Sequence, residues 1–156
     1  MLRLRQVIPR EYCLGCFGCC RFNCLESAWT PKLLNEEKER IVFAAKQIRV
    51  VSGPGKDDFI CEFLSLRDNK CHVYHSRPFE CQLYPFLINR NGKNVFLSLD
   101  LKCPFAKENL EYNNFKEYIQ YLTSLFKSQS GKDLLKSNPQ LIQAYDDTLD
   151  LVILEI

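Results

Sequence analysis

The chain has 156 residues, 46% hydrophobic and 26% charged, with a net charge of +2. That length describes one domain with at most a small appendage, long enough to bury a core without a staple. The charge is too small, and its signs too interspersed, for nucleic acid or an anionic membrane as a partner, and neither is expected. The opening residues alternate leucine with arginine and have no apolar h-region, and no stretch approaches a membrane span, so the expected location is cytoplasmic. Nine cysteines are the one departure from an ordinary composition.

In chain order, residues 2–8 alternate and stop at Pro9, which predicts a short edge strand. Residues 13–24 hold two glycines among five cysteines and read as an irregular, metal-shaped loop. Gly15 and Gly18 each precede a cysteine, where they either let backbone N–H groups approach sulfur or serve as ordinary turn glycines. A helix follows, capped by Asn35, with Glu36 and Glu37 at its positive end and Ile41, Ala44, Ala45 and Ile48 on its apolar face. Residues 50–58 read as a surface loop. Residues 59–66 are strand-like, R-D-N-K is a turn, and residues 71–74 pair back as a hairpin. A second hairpin joins residues 86–88 to 95–99 across an Asn91-Gly92 turn.

After Cys103-Pro104 the pattern becomes helical. Phe115, Tyr118, Ile119, Leu122, Leu125 and Phe126 share one face. A further helix is predicted from Asn138 and Pro139, with Leu141, Ile142, Tyr145 and Leu149 on its apolar side. These helices either cover a metal-bearing core or present a docking face to a partner. The fold class is α+β, a small irregular metal-organised core with short β-hairpins and a few packed helices. Residues 1–106 form the cysteine-cluster domain and 107–156 a helical extension packed on it.

The chemistry lies in C-L-G-C-F-G-C-C, which places Cys13, Cys16, Cys19 and Cys20 within eight residues. Crowded thiolates repel and oxidise unless a cation holds them, and deprotonated sulfur is the natural ligand of zinc and of iron–sulfur clusters. Disulfides are the competing explanation. They need an oxidising compartment, the cysteine count is odd, and adjacent Cys19 and Cys20 pair only through a strained ring.

From Phe59 the chain reads F-I-C-E-F-L-S-L-R-D-N-K-C-H-V-Y-H-S-R-P-F-E-C-Q-L-Y-P-F. With the cysteine run, this resembles the CxxCxxCC zinc- or iron-chelating family, the YkgJ-like cysteine-cluster proteins. The matching residues are Cys13, Cys16, Cys19 and Cys20; Cys61 with Phe63 and Leu64; Cys71, Val73, Tyr74, Arg77, Pro78, Cys81, Tyr84 and Pro85; and Cys103. The resemblance covers roughly residues 10–105 and implies that these eight cysteines hold metal. Cys24 falls outside the pattern, and His72 and His75 stand where the family has no histidine, so none of the three is taken as a ligand. Some relatives resemble flagellin lysine N-methylase, an S-adenosylmethionine-dependent enzyme. This chain has no strand–G-x-G–helix fingerprint for that cofactor, so the activity is not carried over.

The spacing favours an iron–sulfur cluster, with [4Fe–4S] as the type, over zinc or mononuclear iron. Four-thiolate zinc usually draws on two separated C-x2-C knuckles, whereas C-x2-C-x2-C begins a ferredoxin run and Cys103-Pro104 resembles the Cys-Pro that closes one. Arg77 is the candidate cofactor-binding residue. Its guanidinium either donates to sulfur near Cys81 or fixes a turn by pairing a carboxylate such as Glu80. Tyr74 and Tyr84 are expected as hydrophobic cover. The function expected is electron transfer, metal or cluster carriage, or assembly with a protein partner. The alternatives are a redox or modification enzyme with an open metal position and a structural zinc module.

Overall fold

The computed structural model describes residues 3–16, 18–40 and 45–156. The fold is α+β, and it divides into two compact units, Met1–Gln82 and Leu83–Ile156.

The first unit is built from short pieces. Helix α1, Arg10–Leu14, starts after Pro9, whose fixed φ of −59° suits a helix entry. Strands β1 (Arg21–Phe22), β2 (Val50–Ser52) and β3 (Phe59–Cys61) form an antiparallel sheet in the order β1-β3-β2. Strands β4 (Leu64–Ser65) and β5 (Lys70–Cys71) form a separate hairpin, with Leu64 opposite Cys71. A 3-10 turn, Tyr74–Ser76, leads into α2, Phe79–Leu83. Leu33, Ile48 and Val73 make a small core, and Cys61, Phe63 and Cys71 pack against it.

Several expectations for this unit are corrected. Residues 3–9 join no strand; Leu2 lies outside the described residues. The expected irregular loop instead has a helical turn at one end and a strand at the other. Residues 35–40 form turns rather than a capped helix, and Ile41 and Ala44 of its predicted face lie outside the described residues. Residues 50–58 are not all loop, because Val50, Val51 and Ser52 pair with Cys61, Ile60 and Phe59. The R-D-N-K turn is present, with Asn69 in the left-handed region at φ 54°.

The second unit has longer elements. Strands β6 (Phe86–Asn91) and β7 (Asn94–Asp100) pair from Phe86↔Leu99 to Asn91↔Asn94. The turn is therefore Gly92-Lys93, one residue later than expected. Gly92 at φ 61° supplies the positive φ that a hairpin turn needs at its first central position. Helices α3 (Pro104–Asn109), α4 (Asn113–Lys127) and α5 (Gln129–Ser137) follow. The face predicted for α4 is the buried one: Phe115, Tyr118, Leu122 and Phe126 point inward. Phe115 stacks on Phe86 with centroids 5.5 Å apart, and Tyr118 lies 5.6 Å from the same ring.

The chain after Asn138 departs from the sequence expectation. Pro139–Leu141 makes one 3-10 turn, and strands β8 (Ile142–Gln143) and β9 (Thr148–Leu154) complete a sheet in the order β8-β6-β7-β9. A short apolar run serves helix or strand equally well, and the open edge of β7 decides the matter here. The link between α4 and α5 depends on Gly131. Ser128 Oγ accepts from its N–H at 3.1 Å, and a Cβ there would lie 2.1 Å from the Leu125 carbonyl oxygen.

Two predictions follow from these contacts. Gly131→Ala drives backbone apart and should cost about 1–3 kcal/mol, read by denaturant unfolding. The second concerns Asp150 on β9. Burial raises its carboxyl, but hydrogen bonds from Ser98, Asn91 and Asn89 outweigh that and hold it below the usual range. Its stabilising contribution is complete above the unfolded carboxylate range, about pH 3.9, and fades as pH falls through the lower folded value. Asp150→Asn should therefore flatten the acid limb of the stability curve measured between pH 7 and pH 2.

Candidate metal centre

Seven of the eight candidate cysteines lie in the first unit. None of the nine forms a disulfide. Cys13 is in α1, and Gly15 and Cys16 continue its turn through N–H bonds to the carbonyls of Tyr12 and Cys13, each 3.2 Å. Gly18 then passes close to sulfur: a Cβ on it would stand 3.3 Å from Cys16 Sγ. That fits a glycine that makes room for a thiol. Cys20 leads into β1, and its carbonyl accepts from Cys61 N–H at 3.0 Å. Cys61 and Cys71 share the core of Leu33, Ile48 and Val73. Cys81 is in α2.

Side chains tether this irregular backbone. Asn69 Nδ2 donates to the carbonyls of Leu14 and Cys16, both at 2.8 Å, and its Oδ1 accepts from Arg21 at 3.0 Å. The R-D-N-K turn is thereby stitched to the cysteine run. Glu37 is buried and accepts from Leu34 N–H at 2.9 Å and Phe79 N–H at 2.8 Å, so it anchors the start of α2. Burial raises its carboxyl, partly offset by those two bonds. Glu80 accepts from Lys32 N–H. Sequence reasoning read Asn69 as a turn residue and Glu37 as a helix-end charge. The signal for Asn69 was an asparagine where a turn needs positive φ. Glu37 gave none for its bond to Phe79, a backbone group forty-two positions along the chain.

The thiols feel one another. Burial raises Cys61 to about 12, with the thiolates of Cys20 and Cys71 adding to it. Cys81 is pushed well above its ordinary value by burial, then by Cys20, Cys61 and Cys71. Cys71 is raised by burial and by Cys20, and Cys13 by burial, Cys16 and Cys20. Cys19 and Cys20, with sulfurs 4.0 Å apart, share a hydrogen bond that raises Cys19 and lowers Cys20. Arg77 opposes these increases: its charge lowers Cys13, Cys20 and Cys71.

Arg77 bonds Gln6 Oε1 and lies over the Tyr74 ring, with Cζ 4.0 Å from the centroid. Arg10 lies over the same ring at 4.7 Å. Tyr74 is therefore a cation–π platform as well as cover, and Glu80 is engaged elsewhere. Cys24 follows β1 on an exposed stretch, and His72 and His75 are exposed. Cys103 belongs to the second unit, where it is buried and caps α3 ahead of Pro104. Asp100 shapes the turn before it: its carbonyl accepts from Cys103 N–H at 3.2 Å, its Oδ1 from Lys102 N–H at 2.9 Å and its Oδ2 from Tyr84 Oη at 3.0 Å.

Among the described residues no three Cys, His, Asp or Glu side chains stand close enough to hold a metal ion as they are. Cys13, Cys19, Cys61, Cys71 and Cys81 are all raised, as sulfurs that keep their protons are. Their chemistry nonetheless suits a soft metal. The donors are sulfur, they are gathered in one unit, and the cation beside them has a buried Nε–H with no partner among the described residues.

The model of the CxxCxxCC family, described as a "Putative zinc- or iron-chelating domain", matches residues 12–118. The match runs past Cys103 into α4, further than the cysteine motifs reach. No curated protein and no solved structure matches the chain. Among the described residues no helix is long and apolar enough to cross a membrane.

Asn69→Asp preserves shape and backbone preference but removes both donors to the cysteine run. At about 0.5–1.5 kcal/mol per bond, it should lower stability by about 1–3 kcal/mol in thermal unfolding. A melting curve identical to wild type would show that the turn does not hold the run.

Proposed function

The chain belongs to the CxxCxxCC family, and from that membership we propose that it binds an iron–sulfur cluster, of the [4Fe–4S] type, through Cys13, Cys16, Cys19, Cys20, Cys61, Cys71, Cys81 and Cys103. Its role is electron transfer, or carriage and assembly of metal or cluster, with a protein partner in the cytoplasm. The observation that carries this reading is the gathering of seven of these cysteines in one unit, where Cys61 N–H bonds the Cys20 carbonyl at 3.0 Å and Cys61 and Cys71 pack on one core. Distant parts of the unit supply those sulfurs, and a cation among them removes the cost of ionising each one. The C-x2-C-x2-C step supports iron–sulfur over zinc. Cys103 is included for its place in the family pattern.

A structural zinc site is the second reading. Cys61 and Cys71 pack on one small core, Cys61 bonds the Cys20 carbonyl through its backbone, and Cys81 follows in α2, which makes four thiols, the number that a closed zinc site takes. Anaerobic purification with iron, zinc and sulfide analysis separates the two. Brown protein with iron and acid-labile sulfide in comparable amounts is the expected result. Colourless protein with stoichiometric zinc, from iron-replete cells, overturns the iron–sulfur assignment and retains chelation.

Metal should also contribute folding free energy, because its ligands come from segments far apart in sequence. A strong chelator under reducing conditions is expected to lower the melting temperature substantially. In Cys→Ser variants, metal content should fall for Cys20, Cys61, Cys71, Cys81 and Cys103 and change least for Cys24, since serine replaces a soft thiolate poorly.

A further inference from the structure

Two arginines share the ring of Tyr74. Arg77 Cζ lies 4.0 Å from its centroid, and Arg10 Cζ lies 4.7 Å from the same point. The ring attracts each guanidinium, but two like charges brought to one ring also repel, and a counter-ion removes that cost. Among the described residues the ion pairs fall elsewhere, and neither of these guanidiniums has a carboxylate partner. Glu80, the acid nearest to Arg77 in sequence, accepts from Lys32 N–H instead.

The two arginines are held differently. Gln6 Oε1 accepts from the Arg77 guanidinium, and Gln6 Nε2 donates in turn to Leu4 O at 3.0 Å. Gln82 Nε2 donates to Arg77 O at 3.1 Å. One donor of this half-buried residue is left over: its Nε–H is shielded from solvent and has no hydrogen-bond partner among the described residues. An unmet donor on a charged group is unfavourable. Arg10, at the start of α1, is exposed, so its side of the ring is open to a ligand from solvent.

We infer that Arg10 and Arg77 form a binding site for a phosphate group at the Tyr74 ring, with Tyr74 and Gln6 as positioning residues. A guanidinium fork matches phosphate oxygens in pairs. A carboxylate offers two oxygens, which one fork fills. A phosphate group has oxygens pointing in different directions, so two guanidiniums can share it. It also carries close to two negative charges at neutral pH, which balances both arginines. Free phosphate and the phosphomonoester of a small molecule present the same chemistry to the site. Phosphate binding here needs no cysteine and no metal.

The test titrates the full-length protein with inorganic phosphate and, separately, with phenyl phosphate, by calorimetry at constant ionic strength. Saturable binding is expected, and acetate should show none. Tighter binding of phenyl phosphate supports a phosphomonoester as the source, and tighter binding of inorganic phosphate supports the free ion. Arg10→Gln should weaken binding about 10–100-fold. Arg10 is exposed, so this variant decides the matter even if Arg77 variants fail to fold. Arg77→Lys keeps the charge without the planar fork and should also weaken binding about tenfold or more. Arg3→Gln removes another exposed charge of the same segment and should leave binding unchanged. Wild-type protein that binds neither phosphate, or binds acetate equally, overturns the site. So does undiminished binding in Arg10→Gln, or an equal loss in Arg3→Gln, which marks diffuse surface charge. Metal content is read separately, and none of these outcomes changes it.

Discussion

Seven candidate-ligand thiols gathered in one small unit cannot all carry their charges without a cation. Two unit charges 4 Å apart still repel by about 4 kcal/mol at an effective dielectric of about 20. Cys19 and Cys20 avoid that cost by sharing a hydrogen bond at 4.0 Å. Burial and neighbouring sulfur keep Cys61, Cys71 and Cys81 above their ordinary values. Arg77 relieves part of the repulsion, at Cys13, Cys20 and Cys71. A zinc- or iron-chelating domain is organised around this imbalance. Its thiols are brought near by the fold, and their ionisation is left to the ion.

That constraint explains how the first unit is made. Its strands are two or three residues long, too short for ladder bonds alone to fix a backbone. Buried or half-buried polar side chains take over the work. Asn69 holds the cysteine run through two carbonyls, and Glu37 holds the start of α2 through two N–H groups. The second unit follows the opposite plan. Strands β6, β7 and β9 are six or seven residues long, and Phe86, Phe115 and Tyr118 pack as an aromatic core. It is organised by apolar burial and regular pairing, with Cys103 its single cysteine.

Legibility in the sequence followed the same division. The α4 face was readable because Phe115, Tyr118, Leu122 and Phe126 recur at helical spacing over fifteen residues, long enough for the period to be unambiguous. The β6–β7 hairpin was readable to within one residue, since glycine marks the turn but not its exact register. The segment from Asn138 was misread as helix. Leu141, Ile142, Tyr145 and Leu149 fit a helical period over a short span, and pairing with β6 and β7 selects strand for Ile142 and Leu149. The helix predicted after Asn35 is replaced within residues 35–40 by turns, in which Glu37 points inward to the N–H groups of nearby Leu34 and distant Phe79.

The residue types alone determined that this chain is a sulfur-rich chelator. Crowded cysteines with the R-P-x-x-C-x-x-Y-P string have few other physical uses, and soft-ligand chemistry is a property of the side chains themselves. Which sulfurs become neighbours was decided by the tertiary structure. Cys20 meets Cys61 through a backbone bond between residues forty-one positions apart, and no local pattern encodes such a pairing. The bond from Arg77 to Gln6 is of the same kind, since the two residues stand seventy-one positions apart in sequence. Local chemistry is written residue by residue, whereas the charge environment of a site is a sum over everything that folding brings within reach.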